Sequence, residues 1–325
     1  MNRQTKAQIL SDLLAVKRVK TMRTMQYERL KPFDDNRIRT RLIPFGTETG
    51  RLASKGDGTR PWFSEPLTNL QNLNKKVARL DPLYNIREIL IPTPGYAFVE
   101  CDLSQVEMVL TAAYSEDWEK VARYEEGEDE HTRTGLLFGG SASDPATRIL
   151  GKFANHSLNY GLSARGFKQK VNKDVDIHGI SVSETEAKRY VGAYHRANPL
   201  LLQWWSTVRR VHSTVGQLTN AYGRRRAFLA HSVGLELISY LPSSTAADHL
   251  NHLLVKAVNK FTDCRLVLQV HDSVLFEVPI ARVRKVCREM RDLMTKSIRI
   301  NGHAVTVLAD VSVGYDNWGN MKEVK

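Results

Sequence analysis

Two stretches of the sequence are the most informative about its fold, AFVECDLSQ at residues 97–105 and LVLQVHDSVLF at residues 266–276. Both are rich in β-branched and aromatic residues, so each predicts a buried strand that ends in a carboxylate, Asp102 in the first and Asp272 in the second. Two carboxylates buried side by side cost free energy unless positive charge lies between them. Mg²⁺ is commonly held by one or two carboxylates plus substrate phosphates, so the pair predicts two magnesium ions arranged for an in-line phosphoryl displacement. The alternative is structural, with one Asp capping a helix and the other making a turn.

A third segment, RILGKFANHSLNYG at residues 148–161, has helical composition and ends at a glycine suited to a helix C-terminus. Arg148, Lys152, His156 and Tyr160 recur every four residues, so they share one face of that helix. An Arg and a Lys at this spacing repel each other by roughly a few tenths of a kcal/mol. A bound polyanion would turn that repulsion into attraction. The alternative, a solvated basic stripe, accounts less well for the two aromatic rings that continue the same face.

The three segments resemble motifs A, B and C of family A DNA polymerases, the bacterial DNA polymerase I group that includes many phage replicases. The first motif of that family reads Asp-Tyr-Ser-Gln-Ile-Glu, and this chain has DLSQVE at residues 102–107. The second reads Arg-x3-Lys-x3-aromatic-x3-Tyr-Gly, and the segment at 148–161 matches it with a His in the aromatic position. The third reads His-Asp-Glu, and the chain has HDS at residues 271–273.

Shorter family-like pieces extend the resemblance along most of the chain. They are TGRLAS at 49–54, NLQN at 69–72, the pair Glu130-His131, STAAD at 244–248 and the terminal Asn317-Trp318. Each piece is moderately specific, and their common order along the chain makes a chance match very improbable.

The resemblance implies an α+β fold with the right-hand architecture of polymerases, in which the palm is an antiparallel sheet, the fingers are helical and the thumb is largely missing. The implied domains are a residual thumb or N-terminal helical segment at 1–48, the first part of the palm at 49–114, the fingers at 115–235 and the second part of the palm at 236–325. Sequence patterns add a basic helix in residues 1 to about 30 and a strand at 89–101 interrupted by a turn at 92–95. They also predict a helix near 283–298 and a final strand at 304–313.

The resemblance also implies roles for individual residues. The catalytic group would be Asp102, Asp272 and Lys152, with both Asp residues and the backbone carbonyl of Leu103 holding two Mg²⁺ ions, for which Mn²⁺ can substitute. The implied dNTP-binding residues are Arg148, Lys152, His131, Glu107, His156, Tyr160 and Gln105. The implied DNA-binding residues are Arg51, His271, Asn69, Gln71 and Thr245.

Glu107 has two interpretations. By resemblance it is the steric gate that rejects a ribose 2′-hydroxyl. By spacing alone, Ser104-x-x-Glu107 ahead of an apolar run is a capping box at the start of a helix. Both roles are compatible if the helix N-terminus fixes the direction of the carboxylate.

Several positions depart from the family pattern. His156 replaces the Phe or Tyr that stacks on the incoming nucleotide, which leaves sugar discrimination open. Ser273 replaces a third carboxylate near the metals, and Ser243 occupies the place of a Gln that contacts DNA. Only about 48 residues precede the Arg51 motif, fewer than a thumb needs. We therefore expect either a split or truncated gene or a partner chain that supplies the missing grip, and weak, distributive DNA binding.

Composition agrees with a nucleic-acid partner. The chain has 325 residues and a formal net charge of +12, which suits a polyanion. Its basic runs, at 17–20, 209–210 and 224–226, could contact phosphates, although each alone is more often a solvated face. Three cysteines without metal-ligand spacing predict reduced thiols, and the sequence shows neither a membrane-spanning run nor a signal core. We expect a cytoplasmic protein, in a bacterial host if phage-encoded.

These observations together predict a template-directed DNA polymerase, of phage type, that binds primed DNA and dNTPs. One rival is a catalytically weakened DNA-binding subunit of a replication complex, favoured by Ser273 and the short N-terminus. A second rival is a two-metal nuclease, which gives no reason for the face formed by Arg148, Lys152 and Tyr160.

Overall fold

The computed structural model describes residues 30, 32–33, 35–44, 46–55, 69–73, 85–228 and 234–324. The helix predicted within residues 1 to about 30 and the basic run at 17–20 therefore lie, apart from residue 30, outside the described residues. Most of the predicted segment 1–48 also lies outside the described residues.

The described elements alternate between strands that build one sheet and a long helical insertion. The first part of the chain forms β1 (Arg41–Ile43), β2 (Ala53–Lys55), β3 (Tyr96–Leu103), α1 (Val106–Tyr114), α2 (Trp118–Glu125), α3 (Glu130–Leu136), α4 (Pro145–Leu158), α5 (Ala164–Asn172), α6 (Val175–His178), α7 (Glu184–Ala197) and α8 (Pro199–Val215). The remainder forms β4 (Gln217–Thr219), β5 (Arg225–Ala227), α9 (Leu235–Lys260), β6 (Arg265–Val270), β7 (Ser273–Pro279), α10 (Val283–Met294), β8 (Lys296–Ile300), β9 (His303–Val307), β10 (Ala309–Gly314) and β11 (Lys322–Glu323). Short 3₁₀ helices lie at Leu70–Asn72, Ile86–Ile89 and Ile280–Arg282.

The central sheet has five antiparallel strands in the order β11-β10-β3-β7-β6. Successive side chains of a strand point to opposite faces. In β3, Val99, Cys101 and Leu103 therefore point to one face, where all three are buried in the main core. Phe98 belongs to a different core on the opposite face, and Asp102 shares its side of the strand. Because both faces are partly covered, β7 is buried along almost its whole length.

Three groups of apolar side chains hold these layers together. The main core packs α1, α9 and α10 on one face of the sheet. A smaller core on the other face joins Phe98, Leu275 and Trp318 to the 3₁₀ segments near Leu70 and Ile86. A separate helical core joins α4, α5, α7 and α8 to the first turns of α9. Helix α9 therefore belongs to both the sheet layer and the helical layer, and connects them rigidly.

The predicted fold class, a mixed fold with an antiparallel sheet and a helical part, is confirmed. Three predicted elements have other bounds in the structure. The first strand begins at Tyr96, after a turn in which Gly95 adopts a φ of 85°, and not at Ile89, which is the last residue of a 3₁₀ helix. The predicted domain boundaries stay predictions.

The final predicted strand is two strands with different partners. β9 pairs with β8, whereas β10 pairs with β3. They separate at Leu308, whose backbone N–H donates to the hydroxyl of Tyr124 (2.8 Å) and whose carbonyl accepts from the N–H of Ser104 (2.9 Å). The helix predicted to reach Ile298 ends at Met294 because residues 296–300 form β8. In the part of the chain that the structure describes, no helix is both long and apolar enough to cross a membrane.

Candidate active site

Backbone pairing between β3 and β7 brings the two motif carboxylates to the same end of the sheet. Asp102 lies directly opposite Ser273, and the N–H of Leu103 donates to the carbonyl oxygen of Asp272 (3.0 Å). Asp272 follows His271, which has a φ of 51°, in the two-residue turn between β6 and β7. Two-residue hairpins need a left-handed residue, and His tolerates that conformation better than most non-glycine residues. Asp272 therefore does lie in a turn, as the structural alternative predicts, and a carboxylate in this turn can still have a functional role.

Arg51 provides positive charge between two carboxylates of this site, Glu107 and Asp272. One terminal nitrogen of its guanidinium, Nη2, lies 2.6 Å from Oε1 of Glu107 and 3.4 Å from Oδ1 of Asp272. Burial would lower the pKa of Arg51, but the charges of Asp272 and Glu107 raise it. The DNA-binding residue predicted from the TGRLAS piece thus contacts residues of both the first and the third motif.

Glu107 is bound by three donors from three parts of the chain. Besides Arg51, the hydroxyl of Ser243 donates to Oε1 (2.8 Å) and the hydroxyl of Tyr160 donates to Oε2 (3.1 Å). Burial would raise the pKa of Glu107, but the charge of Arg51 and the hydrogen bonds from Arg51 and Ser243 lower it. Glu107 is therefore held as a carboxylate although only 16% of its side chain is exposed.

The capping-box interpretation of Glu107 is wrong. Helix α1 begins at Val106, and its N-cap residue is Gln105, which has a left-handed φ of 46° and makes no side-chain cap hydrogen bond. The Glu107 side chain points to Arg51, Ser243 and Tyr160 instead of to the backbone N–H of Ser104. The charged donor Arg51 outcompetes a backbone N–H because hydrogen bonds between charged groups are stronger.

Asp102 and Asp272 have different surroundings. The side chain of Asp272 is mostly buried, and its pKa is raised by burial and by the charge of Glu107, against the opposing charge of Arg51. Asp102 is exposed at the end of β3. A carboxylate with a raised pKa gains from an added cation, and carboxylate oxygens are the ligands that Mg²⁺ prefers. The oxygen donors of these two side chains and of the Leu103 carbonyl are of the kind that magnesium prefers, and their role as its ligands stays a prediction. The described residues contain no cluster of three or more acidic, His or Cys side chains able to hold a metal.

The helix predicted around the second motif is confirmed as α4. Arg148, Lys152 and His156 are exposed along one face of it, and Tyr160 follows two residues after its end, before Gly161 at a φ of 88°. Nε of Arg148 lies 2.8 Å from Oδ2 of Asp129, which precedes α3. The basic face is thus anchored at one end by Asp129 and reaches Glu107 at the other end through Tyr160.

His131 lies beneath this face, not on it. Only 3% of the residue is exposed, its Nδ1 lies 3.1 Å from the side-chain nitrogen of Asn155, and its ring centre lies 5.6 Å from that of His156. Burial, and then the nearby charge of His156, lower the pKa of His131 to about 3. The neutral imidazole keeps one N–H, so a donor role toward a triphosphate stays a prediction that requires the ring to be approached closely.

Among the other predicted DNA-binding residues, one is exposed and two have side chains that bind other parts of the protein. His271 is exposed in the β6–β7 turn. Thr245 is fully buried and lies 2.6 Å from the hydroxyl of Tyr114, so its side chain packs in the interior. The amide of Gln71 connects three segments, because it accepts from the N–H of Ser54 (2.8 Å) and donates to the carbonyl of Gln269 (2.8 Å).

Two of the predicted binding residues have a buried side-chain oxygen without a hydrogen-bond partner. They are Oδ1 of Asn69 and Oε1 of Gln105. Such atoms cost free energy unless a further group satisfies them. Both positions are therefore compatible with an added donor, such as a group of bound nucleic acid or nucleotide.

Contacts around Gly50, the residue before Arg51, could not be predicted from local sequence patterns. The carbonyl of Gly50 accepts from Asn251 (3.0 Å), and a Cβ at Gly50 would lie 2.6 Å from the guanidinium of Arg224. Arg224 is in turn bound through two nitrogens to the carboxylate of Asp248, at 2.9 and 2.6 Å. The run at 224–226 and the STAAD piece were both visible in the sequence, but their pairing across 24 residues was not.

Comparisons with known proteins show the family of the chain. A family model described as DNA polymerase family A matches residues 1–320. The chain is similar to the thermostable DNA polymerase I of Thermus thermophilus (28% identity, 86% of this chain and 32% of that protein) and of Thermus filiformis (30% identity, 86% and 32%). It spans about a third of the length of these relatives.

A solved structure shows a similar fold. It is the POL domain of Pol1 from M. smegmatis in complex with DNA primer-template and dNTP, with a TM-score of 0.72 and 24% identity, covering 93% of this chain and 51% of that one. The mixed fold, the order of the three motifs and the match over nearly the whole sequence lead to one conclusion: the chain belongs to DNA polymerase family A.

Proposed function

We propose that the chain carries the catalytic region of a DNA-directed DNA polymerase, which adds dNTPs to a primer 3′-hydroxyl and releases pyrophosphate. One observation carries this proposal. Arg51 contacts Glu107 and Asp272, and Tyr160 contacts Glu107, so residues of all three motifs meet at a single group of charges. A nuclease would have no use for the basic face of α4, which ends at this same group.

The residues divide the work of nucleotidyl transfer between them. Asp102, Asp272 and the Leu103 carbonyl would hold two divalent cations, which supply a lowered pKa at the 3′-hydroxyl and charge neutralisation at the leaving pyrophosphate. Lys152 and Arg148 on the exposed face of α4 would bind the triphosphate, with Arg giving a forked contact and Lys a point charge. His156 and Tyr160, farther along the same face, would line the nucleotide pocket.

Arg51 has a second role in this proposal. The minor groove presents acceptors common to all base pairs, so an Arg can contact a primer–template there without reading its sequence. Glu107 would lie beside the sugar of the incoming nucleotide and exclude a 2′-hydroxyl. The departures at His156 and Ser273 support a phage-type enzyme in DNA replication or repair, acting in the cytoplasm of a bacterial host. A partner chain that adds grip on the duplex stays a prediction.

Primer extension with Asp272→Asn tests the proposal. We expect the wild type to extend a short primed template with Mg²⁺ and four dNTPs, and the variant to lose at least about a thousand-fold in rate, since metal binding supplies several kcal/mol and each 1.36 kcal/mol is ten-fold. Asp263→Asn is the matched control, because Asp263 pairs with Arg282 outside the candidate active site. Equal extension by wild type and Asp272→Asn would remove Asp272 from the mechanism.

The same experiment separates the rival function. A DNA-binding subunit without catalysis would bind primed DNA in a fluorescence anisotropy titration yet extend nothing with Mg²⁺ or Mn²⁺. One observation favours that rival: Ser273, in the position of the third carboxylate, donates to Glu100 (3.0 Å) and is buried. Extension by the wild type alone would exclude it.

A further inference from the structure

Ser243 places a neutral donor against the buried carboxylate of Glu107. It lies in α9 directly after Pro242, and 7% of the residue is exposed. Its hydroxyl donates to Oε1 of Glu107 at 2.8 Å. A hydroxyl that is sequestered from water and bonded to a carboxylate restricts where that carboxylate can lie.

Arg51, the charged donor to Glu107, is less permanent than Ser243. Arg51 bonds the same oxygen, Oε1, but is shared with Asp272. In the proposed function Asp272 binds a cation and Arg51 turns to the primer–template, so Arg51 is withdrawn from Glu107. Ser243 and Tyr160 would then be the donors left on the carboxylate among those seen in the described residues. Loss of one partner from a buried carboxylate leaves desolvated charge, which the protein relieves by moving the side chain.

We propose that Ser243 is a positioning residue for sugar selection: by fixing Oε1 of Glu107, it sets how strongly the site rejects ribonucleotides relative to deoxynucleotides. The inference rests on the proposed function and adds to it a residue from α9, a helix outside the three motifs. Steric exclusion of one hydroxyl requires the excluding group to be held within a fraction of an ångström. A Glu side chain has three rotatable bonds, and a donor from a rigid helix removes that freedom.

A pair of nearly isosteric variants isolates the hydroxyl. Ser243→Thr keeps the donor, whereas Ser243→Val has a similar shape without it. The readout is single-nucleotide insertion, as the ratio of kcat/KM for a dNTP to kcat/KM for the matching rNTP. Losing a hydrogen bond to a charged group predicts a roughly ten-fold fall of this ratio in Ser243→Val. Ser243→Thr should stay within about two-fold of wild type, since the charge-assisted bond is retained.

Ser244→Ala is the control for the general effects of removing a buried hydroxyl from α9. Ser244 is fully buried and accepts from the side chain of Asn220 (3.1 Å), away from Glu107. Thermal unfolding of all variants measures the structural effect separately. We expect Ser244→Ala to lower the melting temperature and leave the selectivity ratio unchanged.

Two results would overturn the inference, and they differ from failure of the proposed function. Equal ratios in Ser243→Val and Ser243→Thr, with dNTP insertion intact, would make Ser243 a packing residue only. A fall of the ratio in Ser244→Ala as large as in Ser243→Val would assign the effect to the packing of α9. Absence of dNTP insertion by the wild type would instead overturn the proposed function, and the inference with it.

Discussion

The backbone N–H of Leu103 donates to the carbonyl oxygen of Asp272 at 3.0 Å. This bond joins positions almost 170 residues apart in the sequence, and it lies at the end of the pairing between β3 and β7. Since side chains alternate along a strand, a shift of this pairing by one residue would turn Asp102 toward the main core. The buried residues Val99, Cys101 and Leu103 prevent that shift, because their apolar side chains would be exposed by it.

Replacing Arg51 by Gln should destabilise the fold most strongly at neutral pH. Glu107 and Asp272 would lose their shared cation, at a cost of about 2 kcal/mol, less than for a fully buried pair because 28% of the Arg51 side chain is exposed. The pKa of Glu107 is lowered in the folded protein, so its charge stabilises the fold above its usual pKa of 4.5, and this contribution is lost as the pH falls through the lower folded value. The pKa of Asp272 is raised, so it takes up a proton earlier in the same descent.

Urea unfolding at pH 7 and pH 4 measures this pH dependence. The free energy of unfolding should differ most between wild type and Arg51→Gln at pH 7, and the difference should be smaller at pH 4. Arg39→Gln, which breaks an exposed pair with Asp35, is the control with a small effect at either pH. If the loss of unfolding free energy in Arg51→Gln is the same at both pH values, Arg51 acts through packing and not through charge.

Gly50→Ala should impair both stability and nucleotide incorporation, whereas Gly95→Ala should affect stability alone. Both glycines have a φ near 85°, so each Ala pays about 1 kcal/mol for a left-handed conformation. At Gly50 the new Cβ would also meet the Arg224 guanidinium, while at Gly95 nothing lies within 4 Å. Displacing Arg224 would move Arg51, and we expect kcat/KM to fall by about ten-fold or more. Equal incorporation by the two variants would show that the Gly50–Arg224 contact does not position Arg51.

Ser273→Glu should destabilise the protein more than Ser273→Ala. Ala removes the hydrogen bond to Glu100 (3.0 Å), at a cost of about 1–2 kcal/mol. Glu adds a charge directly opposite Asp102 and near Glu100, and like charges at such positions repel. Urea unfolding should show the gap between the variants shrinking as the pH is lowered or when Mg²⁺ is added. A more stable Ser273→Glu without Mg²⁺ would mean that these carboxylates do not interact.

Lys152→Ala should lower kcat/KM for dNTPs by about two orders of magnitude, because a charged group that binds the transferring phosphates stabilises the transition state. Its melting temperature should change little, since the side chain is exposed on α4. Lys173→Ala, at the exposed end of α5, is the control of equal charge. Steady-state insertion kinetics compare the two, and equal values would remove Lys152 from the nucleotide site.

Local patterns were sufficient for the elements that carry the motifs. The apolar composition before Asp102 and Asp272 predicted β3 and β6, and the four-residue spacing predicted α4. Patterns failed where two local interpretations compete. Residues 304–313 form an unbroken strand by composition, yet the contacts of Leu308 divide them between two partners. The spacing of Ser104 and Glu107 favoured a capping box, and a distant cation overrode it.

Periodicity, strand composition and turn residues are local properties of the chain, so they are enough to predict which residues bear the chemistry and on which elements those residues lie. The pairing of these residues depends on tertiary contacts. The tertiary structure placed Arg51 between Glu107 and Asp272, bound Glu107 to Ser243, and held the Gly50 turn against Arg224. These contacts join segments that are far apart in sequence. Their free energy comes from charge and hydrogen bonding between groups that meet only once the sheet and α9 have packed together.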